Sequence, residues 1–178
     1  MPGNPDGLLL TDDVVLLDPF TDADVDAAWA GEDDQFVHRS CLPGPFTRRD
    51  IAHRIADWQR PSRPGGLRRT FAIREAATRR LVGGCELDTR PGNCQIAELS
   101  YWVFPRYRRR GYATRSAELV CQYAFDYLGL ARVELRIEPT NDASLRVATK
   151  AGFRRQYDCR DAGRPGTVLL CRLRWASP

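Results

Sequence analysis

Hydrophobic positions change their spacing several times along the chain, and each change marks an element. Val14-Val-Leu-Leu17 is a short apolar run closed by Asp18-Pro19 and reads as a first strand. An acidic helix is expected from about Asp22 to Ala30, after which Cys41-Leu-Pro-Gly-Pro45 breaks the pattern. Thr47-Arg-Arg-Asp50 has the form of a capping box with Asp in place of Glu. Ile51, Ile55 and Trp58 follow at helical spacing, up to the Pro61 to Gly66 stretch. Three strand-like runs come next, Thr70 to Glu75, Leu81 to Leu87 and Cys94 to Val103, separated by Thr78-Arg-Arg80 and Arg90-Pro-Gly-Asn93. After Gly111 the helical period returns, with Ala113, Ala117, Val120, Cys121, Ala124 and Leu128 on one face and Gly129 as terminator. Val133, Leu135 and Ile137 alternate with charged residues, as in a strand. A short helix is expected over about Asp142 to Ala151, stopped by Gly152. Two last strands, Phe153 to Cys159 and Val168 to Arg174, flank Gly163-Arg-Pro-Gly166.

The order β-α-α-β-β-β-α-β-α-β-β predicts one mixed α/β (α+β) domain over residues 1–178. Its sheet is expected to be largely antiparallel, with about seven strands and about four helices; residues 1–13 are expected to be loosely ordered. A chain of 178 residues suits one domain with one sizeable core.

Composition narrows the function classes. No apolar run is long enough to span a bilayer, and the N-terminus lacks the basic start and apolar stretch of a signal peptide, so a cytoplasmic protein is expected. The six cysteines, at 41, 85, 94, 121, 159 and 171, form no C-x-x-C pair, and His38 and His53 are the only histidines. Neither a disulfide framework nor a structural metal is expected from that set. The net charge of +4 conceals 26 arginines against one lysine, Lys150, a skew of the kind a GC-rich genome produces. Most of these arginines read as solvated surface. The exception is the cluster Arg106, Arg108, Arg109, Arg110 and Arg115, which a nucleic-acid-binding domain could also carry, although no zinc-finger spacing or basic heptad region accompanies it.

That cluster lies where a strand ending at Val103 passes through Pro105 straight into a helix. The first amides of a helix have no intrahelical partner, and the helix dipole adds partial positive charge there. Gly111 lets an anion approach the backbone, and small Ala113 keeps the first turn open. These features suit a pyrophosphate, and equally a turn glycine beside a basic surface patch.

Resemblance separates the two readings. Arg108-Arg-Arg-Gly-Tyr-Ala113 is similar to the (Q/R)-x-x-G-x-(G/A) signature of the GNAT acetyltransferase superfamily, in a strand–loop–helix context. Downstream, Glu138-Pro-Thr-Asn-Asp-Ala-Ser144 and Lys150-Ala-Gly-Phe153 resemble the N-x-x-S and K-x-G-F signature of its RimJ/RimL-type branch. Leu16-Leu-Asp-Pro-Phe-Thr-Asp-Ala-Asp24 resembles the start of that branch.

The resemblance implies an N-acetyltransferase that moves the acyl group of acetyl-CoA, or another acyl-CoA, directly to a primary amine without a metal. It implies that Val103, with Trp102 and Phe104 beside it, offers backbone groups to the pantetheine arm, and that the residue 103 amide stabilises the oxyanion, a contribution of about 2.7–4 kcal/mol per donor in comparable sites. Arg108, Arg109, Arg110, Gly111, Tyr112, Ala113 and Thr114 would hold the pyrophosphate. Asn141 matches the residue that bonds the pantetheine backbone and Ser144 the hydroxyl near the sulfur; Ser144 is equally a polar residue of a first helical turn. The tyrosine that often protonates the leaving thiolate would fall near Ala148, which leaves Ser144 or water as the acid. Glu98 and Glu86 are the base candidates, either of which could instead be a solvated or salt-bridged strand residue. The acceptor, a small-molecule amine or a protein N-terminal amine, would enter beside the N-terminal helices, where Glu32-Asp-Asp34, Phe36, His38, Arg39 and Trp58 lie without assigned contacts. A homodimer is compatible with the resemblance, and neither nucleic acid nor membrane is an expected partner. The alternative class is a non-catalytic acyl-CoA-binding regulatory module, which the absent tyrosine at position 148 keeps open.

Overall fold

The computed structural model describes residues 8–31, 47–60, 67–90, 93–159 and 167–174. Among them run β1 (Leu10–Thr11), β2 (Val15–Pro19), α1 (Val25–Gly31), α2 (Arg48–Trp58), β3 (Arg68–Glu75), β4 (Leu81–Arg90), β5 (Asn93–Val103), α3 (Tyr112–Asp126), β6 (Arg132–Ile137), α4 (Asp142–Lys150), β7 (Arg154–Cys159) and β8 (Thr167–Leu173). The strands form one sheet in the order β1-β2-β3-β4-β5-β6-β8-β7. Every neighbouring pair is antiparallel except β5 and β6. The expected order of elements is therefore present, with one correction. Leu10 and Thr11, expected in a loosely ordered segment, pair with Leu17 and Leu16 and make an eighth strand. Two residues are too few to show a period, so only the pairing partner reveals that strand.

Side chains alternate between the two faces of each strand, and each face carries its own helices. Phe71 meets Tyr123 of α3 edge to face, and Phe71, Cys85, Leu87, Leu99, Val133 and Leu135 bury against Ala117, Val120, Cys121 and Ala124 in one core. On the opposite face the Trp102 ring crosses Gly84 and stacks toward Trp58 of α2, with ring centroids 5.4 Å apart. A Cβ on Gly84 would strike that ring, which explains the glycine there.

The two N-terminal helices are fixed at their starts by carboxylates. Thr47 N–H donates to Asp50 Oδ2 at 2.9 Å and Asp50 N–H to Thr47 Oγ1 at 3.3 Å, the reciprocal pair that the sequence spacing predicts. Before α1, Thr21 N–H donates to Asp24 Oδ2 at 2.8 Å. Arg74 of β3 then donates to Asp24 through both terminal nitrogens, at 2.8 and 2.9 Å, and through Nε to Asp18 at 2.7 Å. Arg74 thus ties α1 to the sheet, with only 12% of its side chain exposed. No described helix is long and apolar enough to cross a membrane. Cys85, Cys94, Cys121 and Cys171 are free thiols, and burial pushes the Cys121 thiol up to about 12, so it packs as an apolar group.

Candidate active site

The site begins where β5 and β6 part. They pair only through Ile96–Arg132, Ala97–Val133 and Glu98–Glu134, whereas β5 continues to Val103 and β6 stays paired with β8 as far as Ile137. Beyond Glu98 the β5 edge therefore faces a widening gap. Antiparallel pairing directs the backbone groups of successive residues to alternate sides. Phe104 N–H donates to Val82 O at 2.9 Å, which places the Phe104 and Trp102 groups on the β4 side and turns the Val103 amide and carbonyl toward the gap. The Val103 carbonyl accepts from Arg108 Nε at 3.0 Å. Of the three residues expected around the strand end, Val103 alone presents its backbone to the gap. The Phe104 ring is buried beneath Gly31, and the Trp102 indole lies on the α1–α2 face.

Past the strand, a single 3₁₀ turn (Pro105–Tyr107) leads through Arg108, Arg109 and Arg110 to Gly111, the N-cap of α3. Arg109 and Gly111 both have left-handed backbone, with φ of 64° and 85°. Gly111 offers no side-chain oxygen to the first turn of α3, whose first capping carbonyl bond is Arg115 N–H to Gly111 O at 3.1 Å. The amides of Tyr112, Ala113 and Thr114 therefore lie ahead of the intrahelical ladder. A Cβ added to Gly111 would find its nearest neighbour 4.0 Å away, so the space before these amides is open. A left-handed N-cap with open space before it is a cradle for an anion, and the glycine serves backbone conformation first.

Two carboxylates brace the loop from behind. The Tyr112 hydroxyl donates to Glu75 Oε1 at 2.8 Å, and Thr78 Oγ1 donates to Glu75 Oε2 at 2.6 Å. These bonds, Thr78 first, hold the Glu75 carboxyl below its ordinary value. Arg115 Nη1 donates to Asp12 Oδ2 at 2.7 Å, so the fifth arginine of the cluster is anchored to the turn between β1 and β2. The Arg106 and Arg110 guanidiniums lie 4.9 and 5.8 Å from the Tyr107 ring centroid, within cation–π range. The arginine cluster is thus divided between fixing the loop and facing outward.

Across the gap stands the start of α4. Asn141 is its N-cap, and its Oδ1 accepts from Ser144 N–H at 3.1 Å. Asn141 and Ser144 therefore share one helical turn. Tyr101, which the sequence reading left unassigned, reaches this turn from β5 and donates its hydroxyl to Ser144 O at 3.2 Å. Ala148 is fully buried in the same helix.

The base candidates occupy the other face of the sheet, with Trp102. Glu86 lies opposite Ser100 and accepts from Thr70 Oγ1 at 2.8 Å, with Arg68 Nε at 3.9 Å. Glu98 lies opposite Asp88 and Glu134 and accepts from Arg136 Nε at 3.2 Å. Phe20, Trp58 and Trp102 cluster on that face, with Phe20 to Trp58 at 4.7 Å and Phe20 to Trp102 at 6.2 Å between centroids. Trp58 was singled out by its helical spacing; Phe20 and Trp102 join it only through packing. Glu32, Asp33, Asp34, Phe36, His38 and Arg39 lie outside the described residues. Among the described residues, no group of three or more His, Cys, Asp and Glu is placed to hold a metal ion.

Comparison with known proteins adds a family to this geometry. Residues 15–154 match the sequence profile described as an acetyltransferase (GNAT) domain. A Bacillus subtilis protein named as a probable N-acetyltransferase, YjcK, is 36% identical over 87 residues, 48% of this chain and 48% of that protein. The spermidine N(1)-acetyltransferase of Escherichia coli K12 is 33% identical over 57 residues, 32% of this chain and 31% of that one. The chain thus spans about half the length, or less, of these curated relatives. Among solved structures, a GNAT-family acetyltransferase from Bacillus anthracis superposes with a TM-score of 0.76 at 22% identity, covering 94% of this chain and 99% of that one. Mycobacterium smegmatis RimJ, solved with a CoA-disulfide, gives 0.73 at 18% identity, covering 94% and 86%.

Proposed function

The chain belongs to the acetyltransferase (GNAT) domain family, and from that membership we propose that it transfers an acetyl group from acetyl-CoA to a primary amine. Three features at and beyond the end of β5 support this reading: the open first turn of α3 behind Gly111, the Val103 backbone turned away from β4, and the Asn141–Ser144 turn that Tyr101 of β5 reaches. A thioester supplies an activated acyl carbon and a leaving thiolate. The chain's own part is to hold the ends of that molecule and to stabilise charge where it develops.

The residues from Arg108 to Thr114 bind the pyrophosphate through the amides around Gly111, with Arg109 and Arg110 supplying counter-charge. The Val103 amide takes the oxygen that becomes negative during attack, and because it is fixed in the strand it needs no reorganisation. The Asn141 Oδ1 is engaged by Ser144 N–H, so its amide nitrogen is the group that meets the pantetheine. Ser144 brings a hydroxyl near the sulfur.

The acceptor comes from the α1–α2 face, where Glu86 and Glu98 lie. Glu98 Oε2 is engaged by the Arg136 guanidinium at 3.2 Å, which occupies one face of its carboxylate. Glu86, held by a neutral hydroxyl at 2.8 Å and with its guanidinium farther off at 3.9 Å, is the better candidate. The Phe20–Trp58–Trp102 cluster beside it gives the acceptor an aromatic wall. Both a small amine and a protein N-terminal amine remain acceptors under this reading.

Free-thiol release from acetyl-CoA, measured over a panel of polyamines, amino-acid derivatives and N-terminal peptides, tests the proposal. Amine-dependent release supports it. CoA binding with no release over the whole panel would identify a non-catalytic CoA-binding module instead.

A further inference from the structure

The departing thiolate ends as the free thiol of CoA and so takes up a proton, which the fully buried Ala148 of α4 has no group to supply. We infer that Tyr101 of β5 is the catalytic acid that protonates the leaving sulfur. This assignment rests on the CoA reading above.

Tyr101 precedes Val103 by two residues on the same strand, so their Cα atoms are about 6.6 Å apart and their side chains point to the same face. That face carries α3 and α4, and β6 has already diverged at this level. The phenol therefore crosses the gap itself, and its oxygen lies at the first turn of α4, 3.2 Å from the Ser144 carbonyl. The Val103 amide and the Tyr101 hydroxyl thus belong to the same strand end, with the first turn of α4 across from them. A separation of 3.2 Å is long for a hydroxyl donor, whose usual distance is about 2.7–2.8 Å, so the Ser144 carbonyl is a weak acceptor for the phenolic proton. Ser144 has a hydroxyl in the same turn, but an aliphatic alcohol is a much weaker acid than a phenol.

The step balances as follows. The amine lone pair forms the C–N bond, the C–S bond breaks, and its electron pair goes to sulfur. Sulfur takes the phenolic proton, and the phenolate recovers the proton that the amine nitrogen releases through solvent.

Tyr101→Phe removes only the hydroxyl and keeps the ring. It is expected to lower kcat by roughly 100-fold, within the range of a lost general acid, while KM for acetyl-CoA changes less than about twofold. A second readout requires no turnover: wild type should bind CoA about fivefold more tightly than desulfo-CoA, the size of one hydrogen bond, and Tyr101→Phe should abolish that preference. A merely bracing role would weaken both ligands equally. Ser144→Ala is expected to cost less than Tyr101→Phe. The assignment is overturned if Tyr101→Phe keeps kcat or keeps the preference, or if Ser144→Ala causes the larger loss. Failure of wild type to bind CoA at all would instead overturn the underlying reading, and this assignment with it.

Discussion

The proposed cofactor side and the proposed acceptor side of this molecule are built in opposite ways. The former is nearly contiguous: Val103 to Arg115 supplies the strand end, the turn and the helix start, and only the first turn of α4 joins from elsewhere. The latter is assembled from distant stretches, with Phe20, Trp58, Glu86, Glu98 and Trp102 brought together by strand register and ring packing. A pyrophosphate can be held by backbone amides, whose position a short local segment dictates. An amine acceptor is read by side chains, which any strand on that face can provide. Under the proposed function, donor chemistry is therefore concentrated in sequence, and acceptor chemistry is dispersed.

The largest expected effect breaks the contiguous half. Gly111→Glu puts a side chain at φ 85°, which costs about 1–2 kcal/mol, and adds negative charge before the α3 amides. Together these should lower kcat/KM for acetyl-CoA more than about 100-fold, since each 1.4 kcal/mol is tenfold. The melting temperature in the absence of ligand should move by only a few degrees. Steady-state kinetics and a thermal melt check both.

The next effect concerns the support of the dispersed half. Arg74→Ala strands Asp24, 7% exposed, and Asp18 without their guanidinium, at about 3 kcal/mol and hence roughly 6–12 °C in Tm. This loss has a pH signature. Burial pushes the Asp24 carboxyl up, but the bonds from Arg74 and Thr21 more than reverse that, so its folded value lies below the ordinary one. A depressed carboxylate contributes stability above its unfolded value, about 3.9, and loses it as pH falls through the folded value. The gap in stability between wild type and Arg74→Ala should therefore narrow below about pH 4, as denaturant titrations at a series of pH values would register.

A smaller effect distinguishes the two faces. Trp102→Leu removes the centre of the aromatic cluster and should raise the acceptor KM on the order of tenfold, with KM for acetyl-CoA nearly unchanged. Equal changes in both constants would show that the two sides are not separate. The smallest effect belongs to the brace: Asp12→Asn weakens a half-exposed ion pair to Arg115 and should cost under about 1 kcal/mol, seen as a two- to threefold weaker acetyl-CoA KM.

Legibility in the sequence followed the same division. The order of elements was readable because each helix or strand carries its own period, and the capping box at Thr47 and Asp50 formed as its spacing predicts. Gly111 was legible as a loop glycine, whereas its left-handed φ and open surroundings are set by how the loop packs in the fold. Arg74 was invisible as an anchor because its partners Asp24 and Asp18 lie 50 and 56 residues away. Glu98 and Glu86 looked equivalent as strand carboxylates, and only register gave one a close arginine and the other a threonine. Tyr101 carried no signal at all: an aromatic residue in a strand reads as packing, and its reach to α4 depends on where β6 turns away.

The central claim is that the residues around Gly111 form an acyl-CoA site. Calorimetric titration of acetyl-CoA into the wild-type chain, with Gly111→Glu in parallel, tests it most directly. The account predicts saturable one-site binding by wild type and none by the variant. No heat of binding in wild type, or equal affinity in the two proteins, would contradict it.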